Sequence, residues 1–229
     1  MKRNIDNIEA RIQAACKRAG RDRSEVTLIA VSKTNPLEAV HTANDCGLKV
    51  FGENRVQEMC LKMDETDREL EWHLIGHLQT NKVKYIIGRT AMIHSVDSLK
   101  LAQEIEKESA AKGVITPVLI EMNVAEEESK FGVIGDAVYE LVREISELKH
   151  VSLKGLMTVA PYTEDPESNR KYFRKLKDLS VDINSKNIDN VNMSVLSMGM
   201  TGDFEVAVEE GATHIRVGTG IFGARNYEV

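Results

Sequence analysis

The sequence predicts an α/β fold, a single (β/α)8 barrel with an extra helix at the N-terminus. Short branched apolar runs alternate with amphipathic segments eight times along the 229 residues, and eight strand–helix units at this spacing are typical of a closed barrel. No low-complexity linker divides the chain, so one domain over residues 1–229 is expected. An open doubly wound sheet is the alternative, but no GxGxxG motif follows the first strand.

The first half of the chain predicts the N-terminal helix and four units. The helix is "MKRNIDNIEARIQAACKRAG", where isoleucines and alanines recur at helical spacing and Gly20 ends the pattern. Pro36 opens the next helix and Gly47 ends it. The four strand and helix segments are, in order, "VTLIAVS" with "PLEAVHTANDCG", "KVFG" with "RVQEMCLKMDETD", "EWHLIG" with "NKVKYIIG", and "AMIHSV" with "LKLAQEIEKESAAKG".

The second half predicts the remaining four units. Its longest helical segment places Val138, Leu141, Val142 and Ile145 on one face. The segments are, in order, "TPVLIEMNV" with "IGDAVYELVREISELKH", "LKGLMTV" with "DPESNRKYFRKLKDL", "NMSVLSM" with "FEVAVEEGA", and "HIRVGTG" leading into "IFGAR".

Composition limits the classes of function. Hydrophobic residues make up 42% and charged residues 29% of the chain, as in soluble globular proteins. The net charge of −6 argues against a broad basic face for nucleic acid. No apolar run is long enough to span a membrane, and the N-terminus lacks the apolar region of a signal peptide. Cys16, Cys46 and Cys60 show no metal-ligand spacing, which indicates reduced thiols in a cytoplasmic protein.

The stretch "LIAVSKT" (28–34) places a lysine where the first strand ends. In a (β/α)8 barrel, catalytic and binding groups collect at the C-terminal ends of the strands. A solvated surface lysine is the simpler interpretation of Lys33 taken alone. An amine held against apolar walls is different, because desolvation disfavours the ammonium form and leaves the amine able to attack a carbonyl.

Two glycine-rich turns follow the last two strands, "SMGMTGD" (197–203) and "RVGTGIFG" (216–223). Barrels commonly bind phosphate at this place. Glycines let backbone N–H groups approach an anion, and hydroxyl groups add donors; the residues concerned are Gly199, Gly202, Gly218, Gly220, Ser197, Thr201 and Thr219. Arg216 lies inside the eighth strand and could meet a ligand ring or a carboxylate. Simple tight turns and a salt bridge are the alternatives.

These features combine because strand one adjoins strand eight in a closed barrel. A phosphate site would then lie beside an amine nucleophile. A cofactor that carries both an aldehyde and a phosphate fits this arrangement. The sequence therefore predicts pyridoxal 5′-phosphate (PLP), bound to Lys33 as a Schiff base.

Seven stretches carry a family resemblance that runs almost end to end and in the same order. The sequence closely resembles the YggS/PROSC family of pyridoxal phosphate homeostasis proteins. The resemblance implies a monomeric fold-type III barrel, similar to the N-terminal domain of alanine racemase. The stretches are "IAVSKT", "FGENRVQE", "WHLIGHLQTNK", "HSVDS", "KGLMTVAP", "LSMGM" and "IRVGTGIFGAR".

The resemblance also implies residue roles. It makes Lys33 the Schiff-base lysine and places Arg216 beneath the ring, facing the pyridine nitrogen. Thr201 stands where family members usually have Ser, which preserves the hydroxyl. The other implied cofactor-binding residues are Ser197, Gly218 and Thr219 at the phosphate, Asn54 and His77 at the ring, and Met198 and Gly199 in the "LSMGM" motif.

Two functional hypotheses follow. The first is a non-catalytic PLP carrier that buffers the cofactor and delivers it to apo-enzymes. It is favoured because Arg216 keeps the ring nitrogen unprotonated, a poor electron sink, and because the chain ends at Val229, without room for the second domain that supplies a tyrosine acid/base in alanine racemase. The second is a small racemase-like PLP enzyme.

Two further classes are weaker. A metal-dependent hydrolase would use His73, His77 and His94, but an HxH motif on the first strand and the carboxylate partners are not evident. A Schiff-base aldolase would need an acid/base beside its lysine, and the first strand is an unusual place for that amine.

Overall fold

Eight parallel strands form a closed barrel in the order of the chain. The computed structural model describes residues 1–127 and 129–223. The predicted (β/α)8 barrel is confirmed, and β1 closes it by pairing with β8. The strands are Thr27–Val31 (β1), Val50–Glu53 (β2), Glu71–Leu74 (β3), Met92–Val96 (β4), Thr116–Met122 (β5), Val151–Thr158 (β6), Val191–Met200 (β7) and His214–Val217 (β8).

Helices surround the barrel and follow the predicted alternation. They are Lys2–Arg18 (α1), Leu37–Asp45 (α2), Val56–Glu65 (α3), Leu99–Lys112 (α4), Ala137–Ser146 (α5), Arg170–Ser185 (α6), Phe204–Glu209 (α7) and Thr219–Phe222 (α8). The third unit differs in type, because Thr80–Tyr85 is a 3-10 helix rather than an α-helix. Its turn still buries Val83, Ile86 and Ile87 completely, so it covers β3 as a longer helix would.

The extra helix α1 packs against α7 and α8. Ile5, Ile8 and Ile12 are buried, and each fully buried isoleucine contributes roughly 1.5–3 kcal/mol. Asn4 Nδ2 donates to the carbonyl of Ile221 at 3.0 Å. The predicted N-terminal helix therefore braces α8, the helix that begins directly after Gly218.

The pairing of β8 with β1 and β7 places the candidate residues at the C-terminal rim of the barrel. Ile29 of β1 pairs with Arg216 of β8, and Met200 of β7 also pairs with Arg216. Lys33 follows β1 by two residues, and Gly218 directly follows β8. The lysine and the late glycine turns are thus neighbours at the C-terminal rim.

Within residues 1–127 and 129–223, no helix combines the length and apolar character needed to cross a membrane. The extent of the single domain to residue 229 stays a prediction. Ala224 and Arg225, which end the "IFGAR" stretch, lie outside the described residues.

Candidate functional site

A cavity of about 530 Å³ opens at the C-terminal rim of the barrel. Its volume falls within the range of about 300–1,000 Å³ that is common for small-molecule sites. Six of the ten predicted site residues line it, and they come from four different strand ends: Lys33, Asn54, Thr201, Arg216, Gly218 and Thr219.

Lys33 lies on a tight turn just beyond β1. The turn is closed by the N–H of Asn35, which donates to the carbonyl of Ser32 at 3.0 Å. Thr34 has a φ of 64°, a left-handed conformation that is rare for a β-branched residue. Such strain costs about 1–3 kcal/mol and persists only where the surroundings hold it. Lys33 itself is half-buried and forms part of the cavity wall.

Arg216 forms the floor of the cavity and is 4% exposed. Its Nη1 donates to Ser197 Oγ at 2.6 Å and its Nη2 to the carbonyl of Thr158 at 2.7 Å. Burial lowers the pKa of Arg216 to about 10, although the negative charges of Glu121 and Asp203 oppose that shift. The guanidinium therefore stays charged at neutral pH, held by two hydrogen bonds to groups that carry no charge.

A chain of hydrogen bonds runs from Arg216 through the barrel interior. Ser197 Oγ lies 2.9 Å from His94 Nδ1, His94 Nε2 lies 2.8 Å from His73 Nδ1, and His73 Nε2 lies 2.8 Å from Glu71 Oε1. One orientation satisfies every link: Ser197 donates to His94, His94 to His73, and His73 to the carboxylate of Glu71. We call this series of residues, from Arg216 to Glu71, the interior relay.

Burial sets the protonation of this relay. The pKa of His94 is well below its ordinary value, first because the ring is buried and then because the positive charge of Arg216 acts in the same direction. His214, whose ring centroid lies 6.2 Å from that of His94, has its pKa lowered by burial to about 4. Both rings are therefore neutral at physiological pH.

The sequence offered His73, His77 and His94 as a possible metal set, and the structure separates them. His73 and His94 use ring nitrogens to bond each other. His77 is exposed in the loop after β3, where its ring stacks on Phe131 with centroids 3.9 Å apart. Its Nδ1 lies 3.5 Å from Asp97 Oδ2.

Four predicted residues lie off the cavity wall. His77 stacks on Phe131, Ser197 lies beneath Arg216, and Met198 is fully buried in the core. Gly199 has a φ of 90°, and a Cβ there would lie 2.5 Å from Ala207 Cβ of α7, so it allows β7 and α7 to pack closely. Contacts of these four residues with a cofactor stay predictions.

The two late turns meet at Thr201. Thr219 Oγ1 donates to Thr201 Oγ1 at 3.3 Å, and the N–H of Gly220 lies 3.4 Å from the same oxygen. A Cβ on Gly220 would lie only 3.0 Å from Val217 Cγ1 and 3.1 Å from Thr201 Cγ2. Glycine at position 220 therefore allows this approach without displacing Val217 or Thr201, whereas a Cβ on Gly218 would make an ordinary contact with Val31.

Asn54 contributes an acceptor that the protein leaves unused. Its Oδ1 is buried and has no hydrogen-bond partner among the described residues, although Asn54 lines the cavity. Because buried polar groups are nearly always paired, an unpaired oxygen in a cavity wall points to a ligand donor or water there. The loop is tightly set, since a Cβ on Gly76 would lie 2.5 Å from the Asn54 carbonyl oxygen.

Sequence reasoning missed part of the wall. Asp203 accepts from the N–H of Met200 at 2.7 Å and from Asn169 Nδ2 at 2.8 Å, so it ties the end of β7 to the segment before α6. Tyr162 lies at the mouth and is 93% exposed. The strand-end stretches "MTVAPY" and "SMGMTGD" contained Tyr162 and Asp203, but nothing in their spacing singled them out.

Comparison with known proteins decides the family. The family model described as the alanine racemase N-terminal domain matches residues 4–226. A pyridoxal phosphate homeostasis protein of Aquifex aeolicus is 49% identical over 224 residues, which cover 97% of each chain. The chain belongs to the pyridoxal phosphate homeostasis protein family. A member from Pseudomonas aeruginosa is 40% identical and covers 98% of this chain and 95% of its own.

Solved structures agree with this family. PipY of Synechococcus elongatus PCC7942, determined with PLP bound, is 34% identical with a TM-score of 0.81, and the match covers 94% of this chain and all of PipY. An alanine racemase of Clostridium difficile 630 shares the fold, with a TM-score of 0.74 at 14% identity. That match covers 98% of this chain and 56% of the racemase.

Proposed function

We propose that this protein binds PLP as a Schiff base on Lys33 and takes part in intracellular PLP homeostasis without catalytic turnover. The observation that carries the proposal is one cavity whose wall contains Lys33, Arg216 and the hydroxyl and glycine groups of the two late turns. The PLP-bound relative supports it, because PipY matches over 94% of this chain. When bound, PLP supplies an aldehyde that an amine can capture reversibly.

The residues present fit the three ends of this cofactor. Lys33 would hold the aldehyde carbon. Thr201, Gly218 and Thr219 line the cavity where the sequence predicted the phosphate, and Ser197 would act through Arg216, from which it accepts a hydrogen bond. The unpaired oxygen of Asn54 is an acceptor for a ligand donor near the ring.

Arg216 is the reason to propose a carrier rather than an enzyme. Its buried guanidinium remains charged at neutral pH, and we place it opposite the pyridine nitrogen of the cofactor. A cation there keeps that nitrogen unprotonated and weakens the ring as an electron sink, which disfavours amino-acid chemistry. The names of the relatives from Aquifex aeolicus and Pseudomonas aeruginosa, as homeostasis proteins, agree with this assignment.

We extend the proposal to the setting of the protein. Cys16, Cys46 and Cys60 are free thiols, which suits a reducing cytoplasm. We propose a monomer that gives PLP to apo-enzymes, with the exposed Tyr162 at the mouth from which the cofactor leaves.

A racemase-like enzyme is the second candidate, and Glu121 is the observation that favours it. Burial raises the pKa of Glu121 to about 7, while Arg216 opposes the shift. A carboxyl group with this pKa suits proton transfer near neutral pH. Glu121 lines a smaller cavity of about 200 Å³ that shares Val159 with the main one.

Two measurements test the proposal. Borohydride reduction of the PLP-loaded protein, followed by mass spectrometry of its peptides, should find the cofactor on Lys33. The loaded protein is then incubated with each proteinogenic amino acid in both enantiomers, and racemisation, decarboxylation and transamination are followed. Turnover in the ordinary range of about 1–10³ s⁻¹ would make the protein an enzyme and refute the carrier proposal.

A further inference from the structure

Behind the turn that carries Lys33 lies a group of three charged side chains, the buried Glu53 and Lys62 and the half-buried Glu58. Glu53 ends β2 and is fully buried, while Glu58 and Lys62 lie one turn apart on α3. Lys62 Nζ lies 2.7 Å from Glu53 Oε1 and 2.8 Å from Glu58 Oε1. We call these three residues the charged clamp.

The charged clamp holds the backbone on both sides of Lys33. Lys62 Nζ donates to the carbonyl of Ser32 at 2.9 Å, which fixes the peptide plane before Lys33. Glu58 Oε1 accepts from the N–H of Thr34 at 2.6 Å, which fixes the peptide plane after it. Because peptide units are planar, the two planes that flank a Cα determine its φ and ψ and the direction of its Cα–Cβ bond.

The network buries charged groups and is costly to keep, which argues against an incidental role. All three donors of the Lys62 ammonium are used, on Ser32, Glu53 and Glu58. Ser32 Oγ also donates to Glu53 Oε1 at 2.6 Å. Burial raises the pKa of Glu53, against the effect of Lys62. Buried ion pairs like this one seldom add stability over apolar residues of the same volume, but they do fix geometry.

We propose that Glu58 and Lys62, supported by Glu53, are positioning residues that aim the Lys33 amine at the aldehyde of the cofactor; this inference rests on the proposed function. In the step they serve, the neutral Lys33 amine adds to the aldehyde carbon. A C=N bond forms, the C=O bond breaks, and the oxygen leaves as water with the two amine protons. The contacts of the charged clamp described above are to the two peptide groups that flank Lys33, so we expect its effect in this covalent step.

The geometry also distinguishes two neighbouring lysines. Lys62 is 5% exposed and its ammonium has three acceptors, so its nitrogen lone pair is not available to a carbonyl. The clamp therefore holds Lys62 as a fixed cation while Lys33 faces the cavity.

The test compares two ligands, PLP and pyridoxine 5′-phosphate, whose alcohol in place of the aldehyde cannot form a Schiff base. Glu58→Ala removes the acceptor at the Thr34 N–H, and Glu58→Gln retains an oxygen there. We expect Glu58→Ala to weaken PLP binding by about tenfold or more, as for loss of a hydrogen bond to a charged group. Glu58→Ala should also slow the appearance of the yellow Schiff-base band by a similar factor. Its affinity for pyridoxine 5′-phosphate should stay within about twofold of the wild-type value. Glu58→Gln should recover most of the loss.

A second variant covers the risk of misfolding. Glu53→Gln combined with Lys62→Met removes both charges of the buried pair, so no unpaired charge is left inside, and it should show the same selective loss for PLP. Glu65→Ala, at an exposed carboxylate of the same helix, is the matched control and should behave as wild type.

Each outcome has a defined meaning. If Glu58→Ala lowers the affinity for both ligands equally, the charged clamp has only a structural role. If Glu58→Ala binds both ligands as wild type does, the clamp has no role in PLP binding. Either result overturns the inference. Wild-type protein that binds neither ligand, or that borohydride labels at a lysine other than Lys33, would instead overturn the proposed function.

Discussion

The two ends of the cavity hold their cations by different means. At the β1–β2 end, the charged clamp is joined by ion pairs and holds the backbone on both sides of Lys33 by hydrogen bonds. At the β7–β8 end, Arg216 is held by a hydroxyl and a carbonyl, with neutral histidines behind it. In the proposed function, Lys33 would change its bonding on reaction with the aldehyde, whereas Arg216 would keep its charge.

This difference has a physical basis. The direct hydrogen-bond partners of Arg216 are neutral, although Glu121 and Asp203 also act on it electrostatically. In the charged clamp, Glu58 accepts from the N–H of Thr34 and Lys62 donates to the carbonyl of Ser32, so strong charges there fix the backbone geometry. The predictions below test each end in turn.

Loss of the Lys33 amine should have the largest effect. Lys33→Ala should abolish the yellow Schiff-base band and the borohydride-stable adduct, because a C=N bond cannot form without the amine. Absorbance spectra before and after reduction measure this. Lys82→Ala is the control, at a half-buried lysine of the 3-10 helix. A cofactor fixed to Lys82 in the wild-type protein would contradict the assignment of Lys33.

At the other end, breaking the interior relay should cost stability. His94→Ala removes a fully buried ring and leaves Ser197 and His73 each without one partner. We expect the free energy of unfolding to fall by about 2–4 kcal/mol, from the cavity and the unpaired groups together. Urea denaturation measures it. His41→Ala, at a half-buried histidine of α2, provides the comparison and should cost much less.

His214, which lies beside the interior relay, predicts a pH dependence of stability. The pKa of His214 falls from 6.5 to about 4 on folding, so the unfolded chain binds more protons in this range. His214 therefore does not reduce the free energy of unfolding above pH 6.5, and it lowers that free energy as the pH falls towards 4. The difference of 2.5 pKa units sets an upper bound of about 3 kcal/mol. Denaturation between pH 4 and pH 8 measures it, and a His214→Asn variant with an unchanged profile would exclude His214 as the source.

The smallest effects are expected at the late turns. Ser197→Ala removes the hydroxyl that accepts from Arg216 and should weaken PLP binding by about 1–3 kcal/mol. Thr201→Val keeps the shape of the wall and removes one hydroxyl, which should cost about 1 kcal/mol. Titration with PLP and with pyridoxal, which lacks the phosphate, measures both. If both variants bind PLP with wild-type affinity, the late turns do not form a phosphate site.

Gly218→Val is a further test of the late turns. We expect weaker PLP binding than in Ser197→Ala, because a branched side chain at position 218 would crowd Val31 and shift the turn, although a bare Cβ there makes an ordinary contact. Gly218→Ala is the matched control and should bind PLP nearly as wild type. If both variants bind equally well, the backbone at Gly218 does not approach the ligand.

Much of the fold could be predicted from the sequence. Eight short apolar runs predicted eight strands, and Gly20, with a φ of 66°, marked the end of α1. The alternation misjudged the type of one element, since Thr80–Tyr85 forms a 3-10 helix. The apolar spacing of Val83, Ile86 and Ile87 suits either helix, so periodicity alone could not separate them.

Part of the candidate site could be predicted from the sequence. The rest could not, because a sequence pattern does not give the direction in which each side chain points. Strand ends and glycine turns singled out Lys33, Arg216, Thr201 and Gly218, and the structure brings them together at one cavity. The inward or outward direction of a side chain depends on barrel register, so the bonds of Ser197 Oγ to Arg216 and His94 could not be predicted.

The sequence by itself determined the barrel, the order of its strands and the strand ends that carry the chemistry, because hydrophobic periodicity and glycine placement act over a few residues. Only the tertiary structure decided the interior relay and the charged clamp. Ser197 and His94 are 103 positions apart in the chain, and Lys62 and Ser32 are 30 apart. Such pairs form only when closure of the barrel fixes the register between strands, so no local pattern encodes them.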